Sequence, residues 1–125
     1  MSDFIDKQKA LYKSLAPVFC PALQETVHFN ADGLNHLLYT RRRPRSHTER
    51  HYRLALVGHI THVIENATQA VKEVRSTSPL VVLWSLQHHI ESEGHVTVVL
   101  RQVGAGRVHF LSAMKRKTKR PKQKA

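Results

Sequence analysis

An arginine and a histidine face each other across a glycine-containing turn in the last third of the 125-residue chain. The run LRQVGAGRVHF has the pattern of a β-hairpin, and a three-residue loop at 104–106 brings Arg101 opposite His109. An arginine is a permanent cation, whereas a histidine gains or loses its proton near neutral pH. Metal-free cleavage of RNA needs such groups: a base for the 2′-OH proton, a cation for the phosphorane charge and an acid for the leaving 5′-oxygen.

Alternation along the two strands assigns the faces of this hairpin. Its apolar side chains, which we expect in the core, are Val98, Leu100, Val108 and Phe110. The other face carries a largely polar row, namely Thr97, Arg101 and His109, with Val99 and Val103 between them. An ordinary solvent-facing half of an antiparallel sheet has the same pattern, and a register slip of one residue would separate Arg101 from His109.

A cluster made only of arginines precedes the hairpin. It comprises Arg41, Arg42, Arg43, Arg45, Arg50 and Arg53. Only Glu49 opposes these six charges within the thirteen residues from 41 to 53. The planar guanidinium matches phosphate oxygens bidentately, and a cluster that served only solubility would usually include lysine. The composition therefore favours a phosphate partner over a merely solvated face.

A basic tail accounts for most of the net charge of +11. Residues 115–125 read KRKTKRPKQKA, with seven Lys and Arg and no acid, so that residues 1–114 carry only +4. We expect this tail to be disordered and to attract polyanions through Lys115, Arg116, Lys117 and the cations after them. Such a tail binds phosphate charge without reading a sequence.

The ten histidines raise the question of a metal site. His47 and His51 are spaced i,i+4 on a predicted helix, and His59 and His62 are spaced i,i+3, so that either pair could present two nitrogens to one ion. A third ligand is hard to find, because the acids are scattered and HTERH does not fit the HExxH arrangement. We therefore predict neither a metal nor a cofactor.

Helical patterns occupy the first half of the chain. Residues 2–15 have amphipathic spacing, and Asn30 or Asp32 is positioned to cap a helix over GLNHLLY. Ser46 and Glu49 fit a capping box, after which apolar residues recur at helical spacing to position 67, with Gly58 as a break or bend.

Strand patterns dominate after Pro79. The runs LVVLWSLQHHI, HVTVVLRQV and RVHFLSA predict three antiparallel strands. ETVHF suits an edge strand, and QAVKEVRST is ambiguous between helix and strand. The prediction is an α+β fold, with N-terminal helices packed on a C-terminal antiparallel sheet of three to four strands.

Length and composition limit the function classes. A chain of 125 residues with 41% hydrophobic residues suits one small folded domain and excludes a large multidomain enzyme. Cys20 is the only cysteine, which suits a reducing compartment. No run of apolar residues is long enough for a membrane span, and no secretory signal is evident, so we expect a cytoplasmic protein without a membrane partner.

The succession VHFNADGLNHLLY, RRRPRS, the capped helix, LWSL and VVLRQVGAGRVHFLSAM resembles the Barnase/EndoU/colicin/RelE-like nucleases of phages and mobile elements. The resemblance covers about residues 26–114. It divides the chain into an N-terminal helix with a proline-containing linker (1–25), a nuclease domain (26–114) and the basic tail (115–125). It implies helices on a four-stranded antiparallel sheet, metal-independent endoribonuclease activity and frequently a toxin role.

By this resemblance, four residues surround the substrate phosphate: His36, Arg101, His109 and Ser112. Strict alternation turns Ser112 away from His109, so that its place in the site requires a bulge or a strand end. The expected function is an RNA-cleaving hydrolase with histidine acid–base catalysis, RNA as its partner and, for a toxin, an acidic inhibitor protein. The alternative is an RNA- or DNA-binding protein of a phage or mobile element without catalysis.

Overall fold

The computed structural model describes residues 3–40 and 43–115. Its helices are α1 (Asp3–Lys13), α2 (Ala31–Leu38), α3 (His47–Ala55) and α4 (Ile60–Asn66), with a 3-10 turn at Val57–His59. Its strands are β1 (Val18–Cys20), β2 (Glu25–His28), β3 (Tyr39–Thr40), β4 (Arg43–Pro44), β5 (Ala70–Thr77), β6 (Leu80–Ile90), β7 (Gly94–Val103) and β8 (Val108–Lys115). None of these helices is long and apolar enough to cross a membrane.

The main sheet of the described residues has six strands in the order β1-β2-β8-β7-β6-β5, and β3 pairs only with β4. The α+β class is confirmed, but the prediction of three to four strands is wrong. The two additional strands come from the N-terminal part of the chain. β1 has only three residues between Pro17 and Pro21, too short to show a period. β2 is not an edge strand, because it lies between β1 and β8 and runs parallel to β8.

One face of the sheet is covered by helices and forms the core. α4 packs on β1, β6 and β7. The predicted apolar face of the hairpin is confirmed, since Val98 and Leu100 are fully buried and Val108 and Phe110 are almost so. The core cluster also includes Tyr12 and Cys20, so that residues on both sides of position 26 contribute to it. We call this side of the sheet the covered face and the other side the open face.

α2 lies beside β8, in the place that β2 leaves when it ends at His28. Asn30 is its N-cap and accepts a hydrogen bond from Gly33 N at 3.3 Å. Gly33 allows the close approach to β8, because a Cβ there would lie 2.6 Å from the Phe110 ring and 2.8 Å from its carbonyl oxygen. Leu34 and Leu37 point to the core, whereas His36 on the same helix remains exposed.

The Ser46 N-cap of the predicted capping box and the break at Gly58 are both confirmed, whereas the Glu49 carboxylate pairs with Arg45 and Arg53. Ser46 Oγ accepts a hydrogen bond from Glu49 N at 3.1 Å at the start of α3. The helix gives way to the 3-10 turn, and α4 begins at Ile60. α3 covers the edge of β8 beyond β2, because Arg53 Nη1 donates to Ala113 O and Lys115 N donates to the Tyr52 hydroxyl.

Candidate functional site

A cavity of about 400 Å³ lies where α2 and α3 meet the open face of the sheet. Its polar lining consists of His36, Arg45, Arg53, Arg75, Arg101 and Ser112. Its apolar lining consists of Val81, Leu83, Val99, Leu111 and Met114. Strands β5 to β8, together with helices α2 and α3 and the segment between β4 and α3, therefore all contribute a side chain to one cavity.

The register of the hairpin brings Arg101 opposite His109, as the sequence predicts. A bulge then interrupts the β7–β8 ladder, so that Val99 pairs with Ser112 while Leu100 pairs with Phe110. The extra residue is Leu111, and it turns Ser112 onto the face that carries Arg101 and His109. The bulge that Ser112 needs in order to share their face is present.

Arg53 holds Ser112 in a chain of polar contacts. Its Nη1 donates to Ser112 Oγ at 3.0 Å, and its Nε donates to Glu49 Oε2 at 2.6 Å. Both Arg53 and Ser112 are buried, at 9% and 3% exposure. Because Oγ accepts from the guanidinium, the hydroxyl proton of Ser112 is left to donate toward the cavity. Arg53 is thus an internal cation of the cavity wall rather than a side chain of the free surface.

His36 lies in strongly cationic surroundings. Partial burial of the ring, and then the charges of Arg45, Arg53 and Arg101, lower its pKa from the ordinary value, while Asp32 acts in the opposite direction. Arg45 Nε also donates to His36 O at 2.9 Å, which ties the cation to the end of α2. At neutral pH the imidazole is therefore neutral, with a ring nitrogen able to accept a proton.

Arg101 is joined to α2 by an ion pair. Its Nη2 lies 3.3 Å from Asp32 Oδ2, and Asp32 is one helical turn before His36. The pair is solvent-exposed on both sides and therefore weak. An incoming phosphate can compete with Asp32 for this guanidinium.

His109 does not line the cavity, although it lies opposite Arg101 on the same face. Its ring centroid is 6.0 Å from that of His28 on β2. Partial burial, and then the charges of Arg107 and His109, lower the pKa of His28. Of the four candidate catalytic residues, the cavity thus brings together His36, Arg101 and Ser112, and His109 stands just beyond Arg101.

The other predicted phosphate-binding residues are dispersed. Arg43 is exposed on β4, and the Nε of Arg50 is buried without a hydrogen-bond partner within 3–40 and 43–115. Lys115 ends β8, with its Nζ 3.0 Å from Glu93 Oε1. Four others lie outside the described residues: Arg41, Arg42, Arg116 and Lys117.

Sequence reasoning missed Arg75 and Asp32. Arg75 reaches the cavity from β5, whose sequence is ambiguous between helix and strand, so that no face could be assigned to it. Asp32 appeared only as a possible helix cap. Asp32 precedes His36 by four residues, and this spacing could have placed the two side chains on the same face of α2.

Among the described residues, no group of three or more His, Cys, Asp or Glu is arranged to hold a metal ion. The rings of His47 and His51 are 5.9 Å apart, and the ring of His51 stacks on Phe4 at 4.2 Å. In the second pair, the ring of His62 lies 5.1 Å from that of His88, and His59 Nε2 lies 3.6 Å from Glu93 Oε2.

The cavity combines four arginines with one imidazole and one serine hydroxyl, and none of its lining residues is acidic. No protein-family model, curated protein or solved structure matches the chain. Three carboxylates outside the lining, Asp32, Glu49 and Glu73, pair with the cavity arginines. Guanidinium groups converging on one volume favour an oxyanion such as a carboxylate or a phosphate, whose oxygens match the guanidinium fork.

Proposed function

We propose that the protein is a metal-independent endoribonuclease whose active site is this cavity. The observation that carries the proposal is the convergence of His36, whose surroundings lower its pKa, with Arg101 and the hydroxyl of Ser112 in a cavity without acidic lining. General acid–base cleavage of a phosphodiester needs proton transfer and stabilisation of negative charge, and groups of these types supply both.

The reaction is an in-line displacement at phosphorus. The 2′-oxygen forms a bond to phosphorus and loses its proton to a base, while the bond from phosphorus to the 5′-oxygen breaks and that oxygen takes a proton from an acid. The products are a 2′,3′-cyclic phosphate and a 5′-hydroxyl. Because the entering and leaving oxygens stand on opposite sides of phosphorus, base and acid must flank the phosphate.

Arg101 occupies the middle position that this geometry requires. It shares the cavity with His36 and is the register partner of His109. We assign the base to His36, because its lowered pKa keeps it unprotonated at neutral pH. We assign the acid to His109 and the stabilisation of the phosphorane charge to Arg101.

Ser112 and the remaining arginines hold the substrate. The hydroxyl of Ser112 donates to a non-bridging phosphate oxygen, and Arg53 fixes its direction. Arg45 and Arg75 contribute positive charge on two sides of the cavity. The positive charge of Arg43 and of the basic residues in 115–125 attracts the RNA strand, and the same proposal includes action in the cytoplasm and control by an acidic inhibitor protein.

The test is cleavage of a DNA oligonucleotide that contains a single ribonucleotide, in excess EDTA. We expect a cut after the ribonucleotide with a 2′,3′-cyclic phosphate end, and no cut in the all-DNA strand. His36→Gln and His109→Gln should each lower kcat/KM by about 10² to 10⁴-fold. Binding of a 2′-O-methyl RNA strand should stay within about twofold, since phosphate contacts come mainly from Arg and Lys.

The matched control is His95→Gln, which changes an exposed histidine on the open face of the same strand as Arg101. It should cleave like the wild type. Cleavage that needs an added divalent metal would contradict the proposal. Tight RNA binding without any turnover would favour the non-catalytic nucleic-acid-binding protein instead.

A further inference from the structure

A second cationic cluster lies beside the cavity on the open face. His28 on β2 and His109 on β8 are register partners, with ring centroids 6.0 Å apart. Arg107 comes immediately before β8 and alternates with His109 along the strand, so that it shares that face. Its charge acts on His28 and lowers the pKa of that imidazole. We call His28, Arg107 and His109 the β2–β8 cluster.

The β2–β8 cluster is open to solvent and lacks acidic partners. Arg107 is exposed, and both imidazoles are partly exposed. In the described part of the chain, no carboxylate lies within ion-pair distance of any of the three. By contrast, the guanidiniums of Arg45, Arg53, Arg75 and Arg101 each have a carboxylate neighbour. The cluster is therefore the less neutralised of the two cationic regions, and a bound anion would supply the missing charge.

The position of the cluster relative to Arg101 follows from the strand order. β7, β8 and β2 are successive strands of the sheet, and they carry Arg101, His109 and His28 on one face. Neighbouring strands are about 4.8 Å apart, so that His28 lies about 10 Å from Arg101 along the sheet. A nucleic-acid strand that crosses the β-strands meets Arg101, then His109, then His28 and Arg107.

We propose that His28 and Arg107 of the β2–β8 cluster bind the phosphate that follows the scissile phosphate on its 3′ side, an inference that rests on the proposed function. The polarity comes from the reaction. His109 protonates the departing 5′-oxygen, and this oxygen belongs to the downstream nucleotide. That nucleotide therefore leaves on the His109 side of Arg101, and its own 3′-phosphate extends toward His28 and Arg107. The preferred substrate is an RNA chain that continues beyond the cleavage point.

The experiment compares two minimal substrates that differ by one phosphate. One is a ribodinucleotide with a single phosphodiester, and the other is the same dinucleotide with an added 3′-phosphate. We expect kcat/KM of the wild type to be about tenfold higher for the phosphorylated dinucleotide, which is the contribution of one charge-assisted contact. His28→Gln and Arg107→Gln should each remove most of this preference, measured as the ratio of kcat/KM for the two substrates with the same variant.

Binding gives an independent readout that needs no turnover. A 2′-O-methyl dinucleotide has no nucleophile, and its affinity with and without the 3′-phosphate should show the same preference and the same loss in both variants. His89→Gln is the control, since it removes an exposed open-face histidine on β6, outside the cluster.

The outcomes separate the two proposals. Cleavage of both substrates with a preference that neither His28→Gln nor Arg107→Gln changes would overturn the downstream subsite alone. Absence of cleavage in the wild type would overturn the proposed function, and the 2′-O-methyl affinities would then decide the subsite. Equal affinity of the wild type for the two 2′-O-methyl ligands would overturn the subsite in either case.

Discussion

The covered and open faces of the sheet are built from the same strands but differ in the burial and polarity of their side chains. On β7, Val98 and Leu100 are fully buried, whereas Arg101, one residue further, is partly exposed and holds an ion pair with α2. On β8, Phe110 lies in the core and Ser112 lines the cavity. The difference teaches that alternation along a strand, shifted by one residue at the Leu111 bulge of β8, separates the residues that stabilise this fold from those that could act on a substrate.

The largest expected effect is on the free energy of unfolding, when one leucine on each face is replaced by alanine. Leu100→Ala opens a closed cavity in the core and should lower the free energy of unfolding by about 2 to 5 kcal/mol. Leu83→Ala removes the same atoms from the open face, where Leu83 lines a cavity that water can enter. It should cost only the transfer free energy, about 1.5 to 3 kcal/mol. Urea denaturation at neutral pH measures both, and equal losses would break the distinction between the faces.

Gly33 tests the position of α2, which packs Leu34 and Leu37 in the core and carries His36 in the cavity on the open face. In Gly33→Ala the new Cβ would meet the Tyr12 hydroxyl and the Phe110 ring and carbonyl, and the strain should lower the free energy of unfolding by about 1 to 3 kcal/mol. The control is Gly58→Ala, whose Cβ would have Leu11 Cδ2 at 3.9 Å as its nearest neighbour. It should leave thermal stability unchanged or slightly raised. A neutral Gly33→Ala would mean that α2 does not need this close approach.

The smallest effect concerns the electrostatics of the open face. Arg45→Gln removes a cation that lowers the pKa of His36, so that this pKa should move up toward the ordinary value, near 6.5. Arg75→Gln removes a cavity arginine that is not among the charges acting on His36 and should leave the pKa in place. An NMR titration of the His36 ring protons measures both variants. Identical titrations of wild type and Arg45→Gln would contradict the assigned cause.

The sign of the accompanying pH dependence follows from proton linkage. A histidine whose folded pKa is lowered binds fewer protons in the folded than in the unfolded state, so its contribution lowers stability as pH falls through about 6.5. Cleavage by a neutral His36 should also persist to lower pH than an unperturbed histidine would allow. In Arg45→Gln the acid limb of kcat/KM should therefore shift to higher pH.

The parts of the fold that depend on residues close together in the sequence were predictable. The glycine turn and the alternation of β7 and β8 suffice to pair Arg101 with His109, and the Ser46 cap follows from a four-residue pattern. β1 was not recognised and β2 was predicted only as an edge strand, because a parallel pairing between Val27 and Val108 depends on contacts that no local pattern records. The bulge at Leu111 was also not predictable from local sequence, since the sequence of β8 has the pattern of an unbroken strand.

The candidate site was predictable to a similar extent. Register alone gave Arg101 and His109, whereas His36 and Ser112 entered only through a family resemblance. Arg75 was missed because its strand had no assignable face, and Arg53 was predicted to bind phosphate, whereas in the structure it is buried and donates hydrogen bonds to Glu49 and Ser112. Convergence of side chains from six elements is a property of packing rather than of spacing along the chain.

The parallel pairing of β2 with β8 also determines when the sheet and the cavity can form during synthesis of the chain. β2 is made early, yet its partner residues Val108 and His109 are among the last of the sheet to emerge from the ribosome. The cavity needs Ser112 and Met114, so that it closes later still. A nascent chain therefore carries no assembled cavity before Ser112 and Met114 have left the ribosome, and any activity of the cavity begins only when the sheet is complete.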